Sequence, residues 1–168
     1  MKSQRFANWL LLSLAFAGSC NAETIIGRVV GVSDGDTITM LDSGNVQHKI
    51  RLGGIDAPES GQAFGSVSKR HLSDLAFGKQ AEADCYKTDQ YRRSICTVYV
   101  GERDAALAQL DAGLAWWYRM YAKEQPPLQR QEYESAEDRA AADGRGLWRD
   151  SQPIPPWEWR KIRKGKPR

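Results

Sequence analysis

Nine consecutive residues, Arg51-Leu52-Gly53-Gly54-Ile55-Asp56-Ala57-Pro58-Glu59, set a guanidinium, two carboxylates and a rigid proline turn side by side. Asp34-Gly35-Asp36-Thr37 precedes them and Asp89-Gln90-Tyr91-Arg92-Arg93 follows. Together the three stretches supply acid oxygens for a hard cation, a carboxylate able to act as a base, and two arginines able to clamp a phosphate. Phosphodiester hydrolysis needs such a set: an activated water, neutralised charge on a five-coordinate phosphorus, and help for the leaving oxygen. Asp36 and Asp56 are the candidate cation ligands, with the backbone carbonyl of Ala57 as a third oxygen. Pro58 fixes its own φ and biases Ala57 toward an extended backbone, which holds that carbonyl in one direction. Glu59 is the candidate general base. Arg51 and Arg93 are the candidate forked donors to the phosphate.

Each piece alone is bland. Asp34-Gly35-Asp36-Thr37 by itself is a turn, and it is not a helix-loop-helix calcium loop, because Ile38 and Thr39 stand where that pattern wants an acid or amide and a glycine. Arg93 by itself is a solvated charge. His48 and His71 are the chain's two histidines, too few for zinc or histidine-based nuclease chemistry, and read as structural or surface residues. The weight rests on joint occurrence, in order, on one strand pattern.

That pattern positions the candidates. Residues 24–32 read as a β-branched strand ended by Ser33-Asp34-Gly35, 37–41 as a second, and 46–52 as a third with Val46, His48, Ile50 and Leu52 on one face. A helix is predicted over 66–77, with Val67, Leu72, Leu75 and Ala76 inward and Gly78 as its stop. Residues 79–86 and 94–100 form a hairpin around Asp89 to Arg93. Helices follow over 104–112 and 128–143, with an aromatic extended stretch, 114–118, between them. Five strands with a helix after the third predict an α+β fold around a small closed Greek-key barrel of the OB-like form, with about three helices. Trp148, Pro153, Pro155-Pro156, Trp157 and Trp159 read as an extended segment packed on the body, the alternative being aromatics among basic residues that stack on bases.

Of 168 residues, 1–22 read as a signal peptide: Lys2 and Arg5, an apolar run too short to span a bilayer, then small residues before Glu23. The competing reading is a lipid anchor on Cys20, which would favour an envelope-anchored interaction protein, but Ala17-Gly18-Ser19 lacks the expected leucine. Residues 23–159 form one domain, without repeats or a transmembrane helix, and 160–168 a basic C-terminal tail. Six of the last nine residues are Lys or Arg, so 23–159 carries a net −5 within a chain of +3. An acidic body that handles a polyanion needs a cation or a basic appendage. The tail is either a solubilising end or an electrostatic tether. Without the signal, Cys85 and Cys96 remain, an even pair that forms either a disulfide across the hairpin or two buried thiols.

In these motifs the chain, over roughly 24–159, resembles the staphylococcal (micrococcal) thermonuclease family. The resemblance implies an OB-like barrel and a secreted or periplasmic, calcium-dependent endonuclease of DNA and RNA that leaves 3′-phosphate ends. It assigns Asp36 and Asp56 to the calcium, Asp34 to their support, and Arg51, Glu59 and Arg93 to catalysis. Tyr91 falls beside the substrate phosphate. Arg119 and Tyr121 fall in the patch that stacks on a base, Arg119 replacing a tyrosine. Ala57 replaces a threonine and Gln90 a lysine. Arg92 replaces a glycine, so the turn before Arg93 is expected to differ. The chain is expected as a monomer. The rival reading is a catalytically inactive OB-like module that binds nucleic acid or protein. Inactive copies lose acids or arginines, and all six are present here.

Overall fold

A computed structural model describes residues 23–165. The expected signal over 1–22, with Cys20, lies outside the described residues, as do Lys166 and Arg168. The elements are β1 (Glu23–Val32), β2 (Thr37–Asp42), β3 (Gln47–Leu52), β4 (Ile55–Asp56), α1 (Gly65–Ala76), β5 (Gln80–Thr88), β6 (Ser94–Val100), β7 (Arg103–Asp104), α2 (Ala105–Asp111), β8 (Trp116–Trp117), α3 (Pro127–Ala142) and α4 (Pro156–Gly165). Short 3₁₀ turns occupy Arg119–Glu124 and Gly146–Arg149.

Alternation of apolar and polar residues gives each long strand one face to bury. β1 pairs antiparallel with β2 on one side and β5 on the other, β2 pairs with β3, and β5 with β6. A parallel pairing of β3 with β6 closes the ring, so the five long strands form the expected α+β barrel. Closure leaves no open edge between them. Val29, Ile38, Met40, Ile50, Leu52 and Val98 fill its interior and are fully buried. Val46, expected on the inner face of the third strand, is exposed instead, because β3 begins one residue later.

On α1 the inner stripe is Ser68, Leu72 and Ala76, four residues apart, while Val67 faces outward. A serine replaces the expected valine on that stripe because its hydroxyl donates to the Leu114 carbonyl at 2.7 Å, which makes its burial inexpensive. Asp104 caps α2, accepting from the amides of Ala106 and Leu107. Pro127 starts α3, where a missing N–H costs nothing.

The segment after Pro155 departs from expectation. It is helix α4, not an extended strand, and it runs across the position-160 boundary drawn for a tail. Pro156, which argued against a helix, occupies its first position. The Trp157 ring stacks on Tyr118 at 5.4 Å and meets Trp116 edge-on at 6.5 Å. Trp148 also packs on Trp116, tilted, at 5.7 Å. These aromatics dock α4 on the body. No helix among the described residues is long and apolar enough to cross a membrane.

Candidate active site

Strand register assembles the site. Thr37 at the start of β2 lies opposite Arg51 on β3, and Arg51 lies opposite Ile95 on β6, two residues after Arg93. Asp56 on β4 pairs with Trp116 on β8. Asp34, Asp36, Arg51, Asp56, Glu59 and Arg93 therefore line one open cleft of about 830 Å³. All six come together, as the sequence predicts.

Arg51 is the hinge of the arrangement. Its Nη2 lies 2.9 Å from Asp56 Oδ1 and 3.2 Å from Asp36 Oδ2, and its Nη1 donates to the Ile55 carbonyl at 3.3 Å. Burial disfavours its charge, but Asp36 and Asp56 outweigh that and hold it more firmly protonated than an ordinary arginine. Both acids are buried. Asp36 also accepts from the Ala57 amide at 3.0 Å and from the Thr37 hydroxyl at 3.0 Å, which ties the first motif to the second. Asp34 accepts from the Asp36 amide at 3.1 Å. Burial first, and the Asp36 charge second, raise its pKa to about 6. Such crowded acid oxygens favour an added positive charge.

The Asp34-Gly35-Asp36 loop is held from beneath. A Cβ on Gly35 would stand 1.8 Å from Ser68 Oγ and 2.8 Å from the Ala57 side chain, so only glycine lets the loop approach α1 this closely. Buried Gln109 donates to the Gly35 carbonyl at 2.6 Å and to the Ser68 carbonyl at 3.1 Å. His71 Nδ1 lies 2.5 Å from Gln109 Oε1, and His48 Nε2 lies 2.7 Å from Asp42, so both histidines are structural.

Arg93 comes from the β5–β6 hairpin. Asp89 receives its Nε at 2.8 Å and its backbone amide at 2.9 Å, while its Nη1 reaches the Thr37 hydroxyl at 3.3 Å. Cys85 and Cys96, cross-strand partners, are joined by a disulfide. Arg92 adopts φ 63°, the left-handed conformation a glycine takes freely, so the absence of glycine does not force the turn away from that geometry.

Tyr91 and Tyr121 stand exposed on the rim of the cleft. Arg119 does not join them. Its guanidinium lies over the Trp117 ring at 4.6 Å and bonds buried Glu137 at 2.6 Å, so it serves the barrel–α3 packing. Three other residues enter unannounced. Thr37 bridges Arg93 and Asp36. Tyr86 lines the cleft with its hydroxyl packed against Gly53. Arg160 reaches in from α4, with Nη2 at 2.6 Å from Asp56 Oδ2 and Nη1 at 2.8 Å from Glu59 Oε1. Burial disfavours its charge, but hydrogen bonds to Asp56 and Glu59 reverse this and raise its pKa above the ordinary value. Thr37 directly follows an acidic turn, a weak local signal; Arg160 stands in a run of basic residues and carries none.

Asp36 and Asp56 fit a hard divalent cation. Their oxygens already converge on one positively charged nitrogen of Arg51, and both face the cleft. The donors are oxygens throughout, which suits calcium or magnesium over soft metals. Among the described residues no three acidic, histidine or cysteine side chains form a closed cage, so carbonyl and water oxygens would have to complete the shell.

A closed OB-like barrel with one open cleft, where buried Asp36 and Asp56 meet Arg51 and Arg160 and Arg93 lies nearby, narrows the class of protein this chain can belong to. The staphylococcal nuclease homologue family model matches residues 49–150. The chain is 41% identical over 155 residues to an uncharacterized endonuclease of Haemophilus influenzae, covering 92% of this chain and 84% of that one. It is 38% identical over 147 residues to the micrococcal nuclease of Shigella flexneri, covering 82% of each. An uncharacterized endonuclease of Escherichia coli O157:H7 is 38% identical over 139 residues, 81% of this chain and 85% of the relative. The chain belongs to the staphylococcal nuclease family. The family match ends before Arg160.

Proposed function

We propose that this protein is an endonuclease that hydrolyses phosphodiester bonds of DNA and RNA. The observation that carries the reading is the convergence of Asp36 and Asp56 on Arg51, in a cleft that also holds Glu59 and Arg93. Asp36, Asp56 and the Ala57 carbonyl would hold calcium, which when bound polarises the phosphate and helps ionise a water. Asp34 adds negative charge beside them. Glu59, partly exposed at the cleft, takes the proton of the attacking water. Arg51 and Arg93 donate to the non-bridging oxygens and stabilise the charge that grows in the transition state. Asp89 and Thr37 fix the direction of Arg93, so little reorganisation is needed at the moment of reaction.

Tyr91 and Tyr121 offer exposed rings at the rim, placed to hold flanking nucleotides. The family likeness supports calcium as the cofactor, 3′-phosphate ends and a monomer. The signal expected over 1–22 supports a secreted or periplasmic location. The inactive-module reading is weaker, because both arginines, Glu59 and the acids are all present and face one cleft. The mature chain is incubated with single-stranded DNA and with RNA, in calcium and in chelator. Cleavage in calcium, none in chelator, and 3′-phosphate ends on the products are expected. DNA and RNA left intact in calcium would overturn the reading.

A further inference from the structure

Arg160 lies beyond the 49–150 stretch that the family model matches, yet it bonds two of the site's acids directly. It crosses 104 residues of sequence to reach Asp56, where Nη1 lies 3.3 Å from Oδ1 and Nη2 2.6 Å from Oδ2. The same Nη1 lies 2.8 Å from Glu59 Oε1. Asp56 thus carries two guanidinium groups, since Arg51 also holds its Oδ1 at 2.9 Å. The Arg160 side chain is 39% exposed, so it is not sealed into the core. Its helix is fixed by the stack of Trp157 on Tyr118, and Tyr118 and Arg160 both line the cleft.

Three consequences follow from these contacts. Arg160 sits on a carboxylate that a divalent cation would need, so the two positive charges compete for Asp56. It also occupies Glu59 Oε1 at 2.8 Å, so a water approaching that oxygen meets Arg160 first and reaches it only when the guanidinium moves aside. A displaced arginine on a docked helix remains within side-chain reach of the cleft, and its fork fits phosphate oxygens as well as carboxylate oxygens.

We propose that Arg160 is a third substrate-binding arginine, which rests on Asp56 and Glu59 in the free protein and passes to the bound phosphate when a divalent cation engages the carboxylates. The proposal rests on the nuclease reading of the same cleft and adds to it a residue from outside the family match. In the free protein Arg160 keeps like-charged acids from repelling one another. In the loaded protein it joins Arg51 and Arg93 on the phosphate. The C-terminal helix then acts as the arm that delivers it.

The test uses the mature full-length chain and two variants, Arg160→Gln and Arg160→Lys. Calcium binding is measured by titration calorimetry without nucleic acid. Binding of thymidine 3′-phosphate, a monoester with no diester to cleave, is then measured in saturating calcium. Arg160→Gln is expected to bind calcium about five-fold or more tightly, and the nucleotide about ten-fold more weakly. Arg160→Lys, which keeps charge without the fork, is expected to fall between on both readouts. The opposite signs are diagnostic, because removing an arginine that only latches α4 through Asp56 would tighten calcium binding without weakening the nucleotide. Calcium affinity unchanged or lowered in Arg160→Gln, or nucleotide affinity unchanged, would overturn the proposal. Trp157→Ala, which undocks α4 with Arg160 intact, is expected to shift both affinities in the same directions and carries the test if Arg160→Gln does not fold. Wild-type cleavage of DNA with unchanged affinities in the variants would remove the Arg160 proposal and leave the nuclease reading standing. Wild-type protein that neither cleaves DNA nor binds calcium would remove both.

Discussion

The Thr37 hydroxyl accepts a hydrogen bond from Arg93 Nη1 at 3.3 Å and donates one to Asp36 Oδ1 at 3.0 Å. One small side chain on β2 thus aligns a phosphate donor from the distant hairpin with a cation ligand from the adjacent turn. Thr37→Val keeps the shape and removes both bonds. It is expected to lower turnover about ten-fold, the value of one aligned hydrogen bond, with Thr37→Ser close to wild type. Steady-state kinetics on DNA checks this, and equal rates for the valine and threonine proteins would count against it.

Glu59 and the two arginines are expected to act in the transition state. Glu59→Gln, Arg51→Lys and Arg93→Lys each lower turnover by about 10²- to 10⁴-fold in saturating calcium. Lysine is chosen at 51 because Arg51→Ala would leave buried Asp36 without a cationic partner and Asp56 with Arg160 alone, at a stability cost of about 3–5 kcal/mol. Thermal melts alongside the kinetics separate lost chemistry from lost fold.

The Cys85–Cys96 disulfide closes a loop with a sequence separation of 11 that contains Asp89, Tyr91 and Arg93. Replacing both cysteines by serine is expected to cost about 2–3 kcal/mol in urea unfolding. A reductant should lower wild-type stability by a similar amount and leave the serine variant unmoved.

Alkaline pH should expose the burial of Tyr86. Burial chiefly, and the Glu124 charge next, raise its pKa from 10.0 to about 12, with Arg51 pulling the other way. The folded protein therefore retains a proton that the unfolded chain gives up. Stability is intact below pH about 10 and falls as pH rises toward 12, by about 2 kcal/mol after allowance for partial exposure. Tyr86→Phe should lose less stability than wild type between about pH 9 and about pH 11, one pH unit either side of that onset.

Lys161, Arg163 and Lys164 are exposed on α4. If these charges tether nucleic acid, replacing all three by alanine weakens binding at low salt and makes the log–log salt dependence shallower by about two. Turnover at saturation stays constant. Unchanged low-salt affinity would leave them as solubilising charges.

The barrel was legible because strand burial is written residue by residue, in alternations such as Ile25, Gly27 and Val29. The acids and Arg51 were legible because they sit in short turns whose neighbours constrain them. Helix α4 was misread because Pro153, Pro155 and Pro156 suggest extension, and only the aromatic surface of Trp116 and Tyr118 makes a docked helix favourable. Arg119 was misplaced because nothing next to it in sequence reveals buried Glu137, its actual partner on α3.

By itself, the sequence determined the strand pattern of the barrel, the cysteine pair and the list of acids and arginines competent for phosphodiester chemistry, because each is read from local periodicity or residue type along the chain. The tertiary structure alone decided that Thr37 joins Arg93 to Asp36, that Arg119 turns away, and that Arg160 reaches Asp56 across 104 residues. Those outcomes depend on how strands register and where helices dock, and pairings across such distances are set by packing of the whole chain, which no local pattern encodes.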